Sequence, residues 1–318
     1  MTSQAIIFSG RGSQYLAEKI AQKFGEPLGK VKTQVFSDGE IGVEFEESIR
    51  GRSVFLVQST FSPTDNLMEL LLMIDAAKRA SAYKVIAVIP YYGYARQDRK
   101  DKPRVAIGSK LVANMLTAAG ADRIVTMDLH APQIQGYFDI PVDHLESSAI
   151  FIPYIENLNL QNLTFAAPDV GSANRIREIA SYFEVDMVIC DKHRKRANEI
   201  ASMVVIGDVT DRDIVLIDDI CDTGGTLAKS AALMIQKGAR SVRAFCTHPV
   251  LSGNAYENIE NSVLEELVVC DTIPLKQTSS KIKVLSTDEL FAVALRNAYE
   301  NRSINTLFIK SRMKPVKL

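Results

Sequence analysis

Two acids and a short loop concentrate the chemistry of this chain. Asp218 and Asp219 close the aliphatic run Ile214–Ile217, and Asp222-Thr223-Gly224-Gly225-Thr226 follows them. The run predicts a buried strand, and Leu227–Lys237 predicts a helix. The acids and loop then lie at the carboxyl end of a strand, where open parallel sheets hold their ligands. Gly224 and Gly225 allow the backbone to approach an anion closely. The N–H groups at the helix start can bind that anion, and Thr223 and Thr226 add hydroxyl donors. Paired carboxylates suit sugar hydroxyls, so the combination fits a phosphorylated pentose. The competing reading is an ordinary strand-to-helix turn with a solvated acid pair.

Other segments carry reactive side chains of different kinds. Tyr91–Arg104 holds three tyrosines and five basic residues in fourteen positions. Aromatic rings can stack on a base, and Arg and Lys can neutralise a polyphosphate; a solvated basic loop or an oligomer contact is the plainer account. Asp128-Leu129-His130 ends a predicted strand. A His beside an Asp there suits a hydrated Mg2+ or a phosphate, although a lone His is more often a satisfied structural group. Lys192-His193-Arg194-Lys195-Arg196 is an unbroken basic run between two predicted strands. It fits a hairpin flag, or else a surface charge run. Phe36-Ser37-Asp38-Gly39-Glu40 reads on spacing alone as a hairpin turn, because Asp-Gly is a strong turn signal. Gly10-Arg11-Gly12 begins like a dinucleotide fingerprint, but Tyr15 stands where its third Gly belongs. No Walker A string occurs.

The elements that must position these groups follow from periodicity. Strands are predicted over 5–9, 31–36, 54–59, 85–89, 123–128, 163–167, 187–190, 203–206, 214–217, 242–247 and 266–270. Helices are predicted over 13–24, 66–80, 107–119, from 168–171 to 182, 227–237 and 287–299. Leu67, Leu70, Leu71, Ile74 and Ala77 set the apolar stripe of the second helix, and Met68 and Met73 read as core. Strands alternating with helices favour parallel sheets. The pattern restarts near Pro141–Ser147, and Arg123–Asp128 weakly echoes Asp213–Asp218. The expectation is an α/β chain of two similar domains, 1–146 and 147–318.

Composition narrows the function. The 318 residues are 47% hydrophobic and carry 37 basic against 38 acidic side chains. This balance gives no bulk attraction to nucleic acid or to a membrane surface. The four cysteines, Cys190, Cys221, Cys246 and Cys270, form no C-x-x-C pair. They suit a reducing cytosol better than a disulfide framework. The first residues lack a basic segment followed by a long apolar core, so no secretory leader is expected. No apolar run is long enough to predict a membrane span.

Taken together, the chain resembles class I ribose-phosphate pyrophosphokinases over nearly its whole length. The resemblance is carried by Phe36–Glu40, Gln58-Ser59-Thr60, Asn66–Leu70, Ile89–Arg99, Asp128-Leu129-His130, Gln133–Gly136, Asp191-Lys192 with Arg194, and the pentose-phosphate loop. It implies two phosphoribosyltransferase-like domains, each a mostly parallel sheet flanked by helices, the first on the ATP side and the second on the ribose 5-phosphate side. It implies transfer of the β,γ-diphosphoryl group of ATP to the 1-hydroxyl of ribose 5-phosphate. The products are AMP and 5-phosphoribosyl 1-diphosphate, a precursor of nucleotides, histidine and tryptophan.

The resemblance also implies roles. Phe36, Asp38, Gly39 and Glu40 would serve ATP, reaching the adenine of a neighbouring subunit, together with Arg96 and Gln97. Arg194, Asp218, Asp219, Asp222, Thr223, Gly224, Gly225 and Thr226 would hold ribose 5-phosphate. Lys192 and Arg194 would be catalytic, and His130 and Asp169 would position Mg2+. Ser48, Arg50 and Ser303 would contribute to an allosteric site for an activating phosphate and inhibitory ADP. A cytoplasmic homo-oligomer, a hexamer, is implied, with no nucleic-acid or membrane partner. Departures from the family pattern include His193, Gly108-Ser109, Asn305, Glu146-Ser147 and a shortened Ser62–Asn66 segment. None removes a proposed ligand. A non-catalytic regulatory subunit and a phosphoribosyltransferase are the alternatives.

Overall fold

The computed structural model describes residues 4–196 and 199–308, with the backbone alone for 192–196 and 199–202. The chain forms two compact units, one built from the chain up to Glu146 together with Thr287–Leu307, the other from Ser147–Ser286 together with Phe308.

In the first unit, the strands β1 (Ala5–Ser9), β4 (Ser53–Val57), β5 (Lys84–Ile89), β6 (Arg123–Met127) and β7 (Val142–Leu145) form a parallel sheet in that order. β2 (Val31–Val35) and β3 (Ile41–Phe45) form a separate antiparallel hairpin. Among the helices beside them are α1 (Gln14–Phe24), α2 (Asp65–Arg79) and α3 (Gly108–Ala119). α1 buries Leu16, Ala17, Ile20, Ala21 and Phe24, the spacing of one helical face. It stops at Gly25, whose φ of 84° is left-handed and whose N–H returns to Ala21 and Gln22. α2 carries Asp65 in its first turn and Lys78 and Arg79 in its last, matching the helix dipole. Its buried face is wider than the expected stripe and includes Asn66 and Glu69. Met73 is core as expected, whereas Met68 is 48% exposed.

The second unit holds a seven-stranded sheet in the order β10-β9-β8-β11-β12-β13-β14. Its strands are β8 (Leu163–Ala167), β9 (Met187–Arg196), β10 (Glu199–Ile206), β11 (Asp213–Cys221), β12 (Ser241–Pro249), β13 (Leu267–Cys270) and β14 (Ile282–Leu285). All neighbours are parallel except β9 and β10. Helices α4 (Ser148–Asn157), α5 (Ala173–Phe183), α6 (Gly225–Gln236) and α7 (Ala255–Glu260) belong to this unit.

Three expectations change. β11 does not end at Ile217 but runs through both acids to Cys221, because β12 continues to pair with it after β8 has stopped at Leu216. β9 does not end at Cys190 but carries the basic run to Arg196, paired antiparallel with β10 in the expected hairpin. The last helix, α8 (Asp288–Tyr299), belongs to the first unit rather than to a domain running to 318. Its Arg296 guanidinium lies over the Phe24 ring at 4.8 Å and donates to the Phe24 carbonyl, and Lys23 pairs with Glu289.

Candidate active-site residues

The expected site residues of the second unit lie at or beyond the carboxyl ends of the strand pairings of three adjacent strands, β9, β8 and β11. Asp169 follows β8 and caps a short 3-10 turn, its Oδ1 accepting the Ser172 N–H at 3.1 Å. Asp218 and Asp219 occupy the part of β11 that outruns β8. Consecutive strand residues face opposite ways, yet the two acids stay linked: the Asp219 N–H donates to Asp218 Oδ1 at 2.9 Å. Burial, then the Asp219 carboxylate, then that of Asp169 push the Asp218 carboxyl well above the usual carboxylate range. Such a group of acids favours a bound cation or the hydroxyl donors of a sugar.

The loop after β11 turns on Gly224, whose φ of 71° is left-handed and which caps α6. α6 begins at Gly225, two residues before the expected start, so the loop leads directly into the helix N-terminus. Lys192 and Arg194 lie on the part of β9 that extends beyond its pairing with β8. Their side chains lie outside the described residues.

In the first unit, the expected ATP residues follow neighbouring strands or sit on the hairpin. Arg96 and Gln97, both exposed, follow β5; His130, also exposed, follows β6. The Gln97 carbonyl accepts the Ser109 N–H at 3.2 Å and its hydroxyl at 3.0 Å, which ties the basic loop to the start of α3. Of the tyrosines, Tyr92 is core: its hydroxyl donates to the Ser109 carbonyl at 2.8 Å and its ring packs on Phe138. Tyr94, 40% exposed, is the more available for stacking. His144 Nε2 accepts the Leu129 N–H at 2.9 Å, fixing the backbone beside His130.

Phe36–Glu40 forms the turn between β2 and β3, as its spacing predicts. The Phe36 N–H donates to the Glu40 carbonyl at 2.8 Å, the Glu40 N–H to Asp38 Oδ1 at 3.1 Å, and Gly39 takes a φ of 94°. Phe36 is 46% exposed, an apolar ring held at the tip of a hairpin.

Sequence reasoning missed the groups that hold these segments. Glu69 is fully buried and accepts from Thr33 Oγ1 at 2.8 Å, from Gln58 Nε2 at 3.2 Å and from the backbone N–H and Nε of Arg11, each at 3.3 Å. It thus ties the hairpin, the end of β4 and the turn after β1 to α2. An acid placed three residues from Asn66 and four from Met73 on one helical face is the signal that could have found it. Ser252 and Asn258 contact the loop after β11 from a stretch with no recognisable pattern. Ser48 and Arg50 are exposed, and Ser303 accepts the Asn305 N–H at 3.2 Å; all three lie in the first unit.

Among the described residues no three His, Cys, Asp or Glu side chains converge as a metal cage. Mg2+ does not require one, since it is commonly held by one or two carboxylates together with substrate phosphates and water. The oxygen donors of Asp169 and its acidic neighbours fit that chemistry. No helix among the described residues is long and apolar enough to cross a membrane.

Comparison with known proteins covers both units. Residues 5–120 match the N-terminal domain of ribose phosphate pyrophosphokinase, and residues 173–309 the phosphoribosyl synthetase-associated domain. The ribose-phosphate pyrophosphokinase of Porphyromonas gingivalis is 56% identical, over 95% of this chain and 97% of its own length. That of Campylobacter jejuni is 52% identical, over 95% of this chain and 98% of its own. A crystal structure of phosphoribosylpyrophosphate synthetase from Mycobacterium smegmatis matches with a TM-score of 0.89 at 37% identity, covering 94% of this chain and all of that one.

Proposed function

This chain belongs to the ribose-phosphate pyrophosphokinase family, and from that membership we propose how its residues divide the work. The enzyme transfers the β,γ-diphosphoryl group of ATP to the 1-hydroxyl of ribose 5-phosphate, giving 5-phosphoribosyl 1-diphosphate and AMP. The hydroxyl oxygen bonds to the β-phosphorus, the bridge to the α-phosphate breaks, and AMP carries away the bridging oxygen. Such transfers depend on positioning and on stabilising charge more than on covalent help from the protein.

Asp218 and Asp219 take the ribose hydroxyls, and Asp222–Thr226 takes the 5-phosphate. The observation supporting this is the acid pair set directly before a loop that turns through a left-handed glycine into a helix N-terminus. Arg96 and Gln97 contact the ATP polyphosphate. Phe36, Asp38, Gly39 and Glu40 reach the adenine bound to a neighbouring subunit, so activity depends on a homo-oligomer, a hexamer. Lys192 and Arg194 stabilise charge on the transferring group, and Arg194 also serves the ribose phosphate. His130 and Asp169 position Mg2+, which supplies charge neutralisation on the ATP phosphates when bound. Phosphate activates and ADP inhibits through Ser48, Arg50 and Ser303. The enzyme works in the cytoplasm.

The test is to mix the purified protein with ATP, ribose 5-phosphate, Mg2+ and phosphate and to separate the nucleotides. AMP formed in step with 5-phosphoribosyl 1-diphosphate is expected. ADP instead would overturn the assignment of the ATP residues. A folded oligomer that binds ATP without turnover would identify a regulatory subunit.

A further inference from the structure

The loop after β11 is held from behind by one short segment, Leu251–Ile259. The Leu251 N–H donates to the Cys221 carbonyl at 3.0 Å, and the Ser252 N–H donates to the Asp222 carbonyl at 2.9 Å. Asn258 Nδ2, on α7, donates to the Thr223 carbonyl at 2.8 Å. The Ser252 hydroxyl also donates to the Asp222 carboxylate. Three consecutive carbonyls are therefore occupied by donors from the same segment.

In a trans peptide the carbonyl and the following N–H point in opposite directions. Fixing the carbonyls of Cys221, Asp222 and Thr223 toward Leu251–Ile259 turns the N–H groups of Asp222, Thr223 and Gly224 the other way. Successive N–H groups aimed to one side form an anion-binding concavity. The backbone is distorted to make these contacts. Leu251 has a φ of 44°, a left-handed conformation that a branched side chain seldom adopts. A Cβ on Gly224 would lie 3.1 Å from Ile259 Cδ1, so the loop rests directly on this segment.

We propose that Leu251–Ile259 sets the direction of the loop's N–H groups, with Asn258 as the positioning residue that keeps the Thr223–Gly224 peptide turned toward the phosphate. This rests on the reading of Asp222–Thr226 as the 5-phosphate loop. Without the Asn258 amide, the Thr223 carbonyl loses its donor and the peptide can rotate. A carbonyl oxygen then competes with the phosphate for the space the N–H occupied. The chemistry at the 1-hydroxyl and the ATP residues are untouched.

The experiment measures steady-state kinetics of the intact oligomer for Asn258→Ala, Asn258→Asp and Thr226→Ala, each with both substrates varied. For Asn258→Ala the KM for ribose 5-phosphate should rise about three- to tenfold, the loss of one hydrogen bond. Its kcat and KM for ATP should stay within about twofold. Asn258→Asp keeps the shape of the side chain but not its donor; it should move the same constant in the same direction, and it serves if Asn258→Ala does not fold. A general structural loss would lower kcat and shift both KM values. That result, or an unchanged KM for ribose 5-phosphate in Asn258→Ala and Asn258→Asp, overturns the proposal. Thr226→Ala separates the two layers: if it alone raises that KM, the loop reading stands and the positioning role fails. If none of the three does, the loop reading fails and the positioning role with it.

Discussion

Glu69→Ala tests how the β2–β3 hairpin that carries Phe36–Glu40 is held. The carboxylate is fully buried and accepts from three elements, so truncation leaves several donors without an acceptor. Their losses are unequal. The Arg11 side chain is 46% exposed, so its ion pair is screened and its head can turn to water. Thr33 is half-buried and water can reach its hydroxyl. Gln58 is fully buried, but its Nε2 also donates to the Asn66 carbonyl at 3.3 Å and to Asn66 Oδ1 at 3.4 Å, so it keeps acceptors when Glu69 is removed. Losing its shorter bond to Glu69 costs about 1 kcal/mol, and Thr33 and Arg11 together add about 1 kcal/mol. The first unit should therefore lose about 2 kcal/mol of unfolding free energy. Because the chain has no tryptophan, urea unfolding is best followed by circular dichroism, alongside the KM for ATP. The freed hairpin should raise that KM as stability falls. A loss under about 0.5 kcal/mol with an unchanged KM for ATP would refute the reasoning, because it would mean that Asn66 and water replace the Glu69 acceptor in full.

Three further outcomes are expected. Lys192→Ala should lower kcat at least about a hundredfold, the loss of a well-placed cation, with an unchanged circular dichroism spectrum; near-normal turnover would remove its assigned role. Gly224→Ala places a side chain at a φ of 71° against Ile259 and should cost about 1–2 kcal/mol; equal melting temperatures would show that the turn can relax. Asp218→Asn should melt higher than the native chain at neutral pH in chelator-treated, ligand-free protein. The folded state raises the Asp218 pKa, so it holds a proton that the unfolded chain releases. Stability is therefore lost as pH rises from the usual carboxylate range through the folded value. Asn carries no such penalty, so the gap should close as pH falls; a gap independent of pH would show that charge is not its cause.

Most regular elements were legible because their signals are local. Gly25 and Gly120 stop α1 and α3 with left-handed caps, and strand β5 reads directly from its apolar run. The misses share a cause, which is that a partner distant in sequence decides the outcome. Asp218 and Asp219 look like residues beyond a strand until β12 extends the ladder to Cys221. β9 reads as ending at Cys190 until β10 pairs with the basic run beyond it. α4 was not expected because Pro153 sits inside it, yet Phe151, Ile152 and Ile155 bury enough surface to keep it helical. At the candidate site, side chains that could contact ligands were legible from their type and order. Those that hold them, Glu69, Ser252 and Asn258, were not, because a buried acid or a lone amide acquires meaning only from what folds against it.

The return of α8 to the first unit bears on how the protein is made. The ribosome finishes residue 146 before it has produced the helix that covers α1. The whole β8–β14 sheet must be synthesised before that helix exists. At elongation rates of about 5–20 residues per second, the delay is on the order of 10–30 seconds. During that interval the exposed face of α1 is open to solvent, to chaperones or to a second nascent chain. The seven-stranded sheet of the second unit, by contrast, lies within the unbroken stretch Ser147–Ser286 and can close as soon as β14 emerges. The first unit therefore waits for a helix made after the whole β8–β14 sheet, and truncation after Ser286 should keep that sheet while uncovering α1.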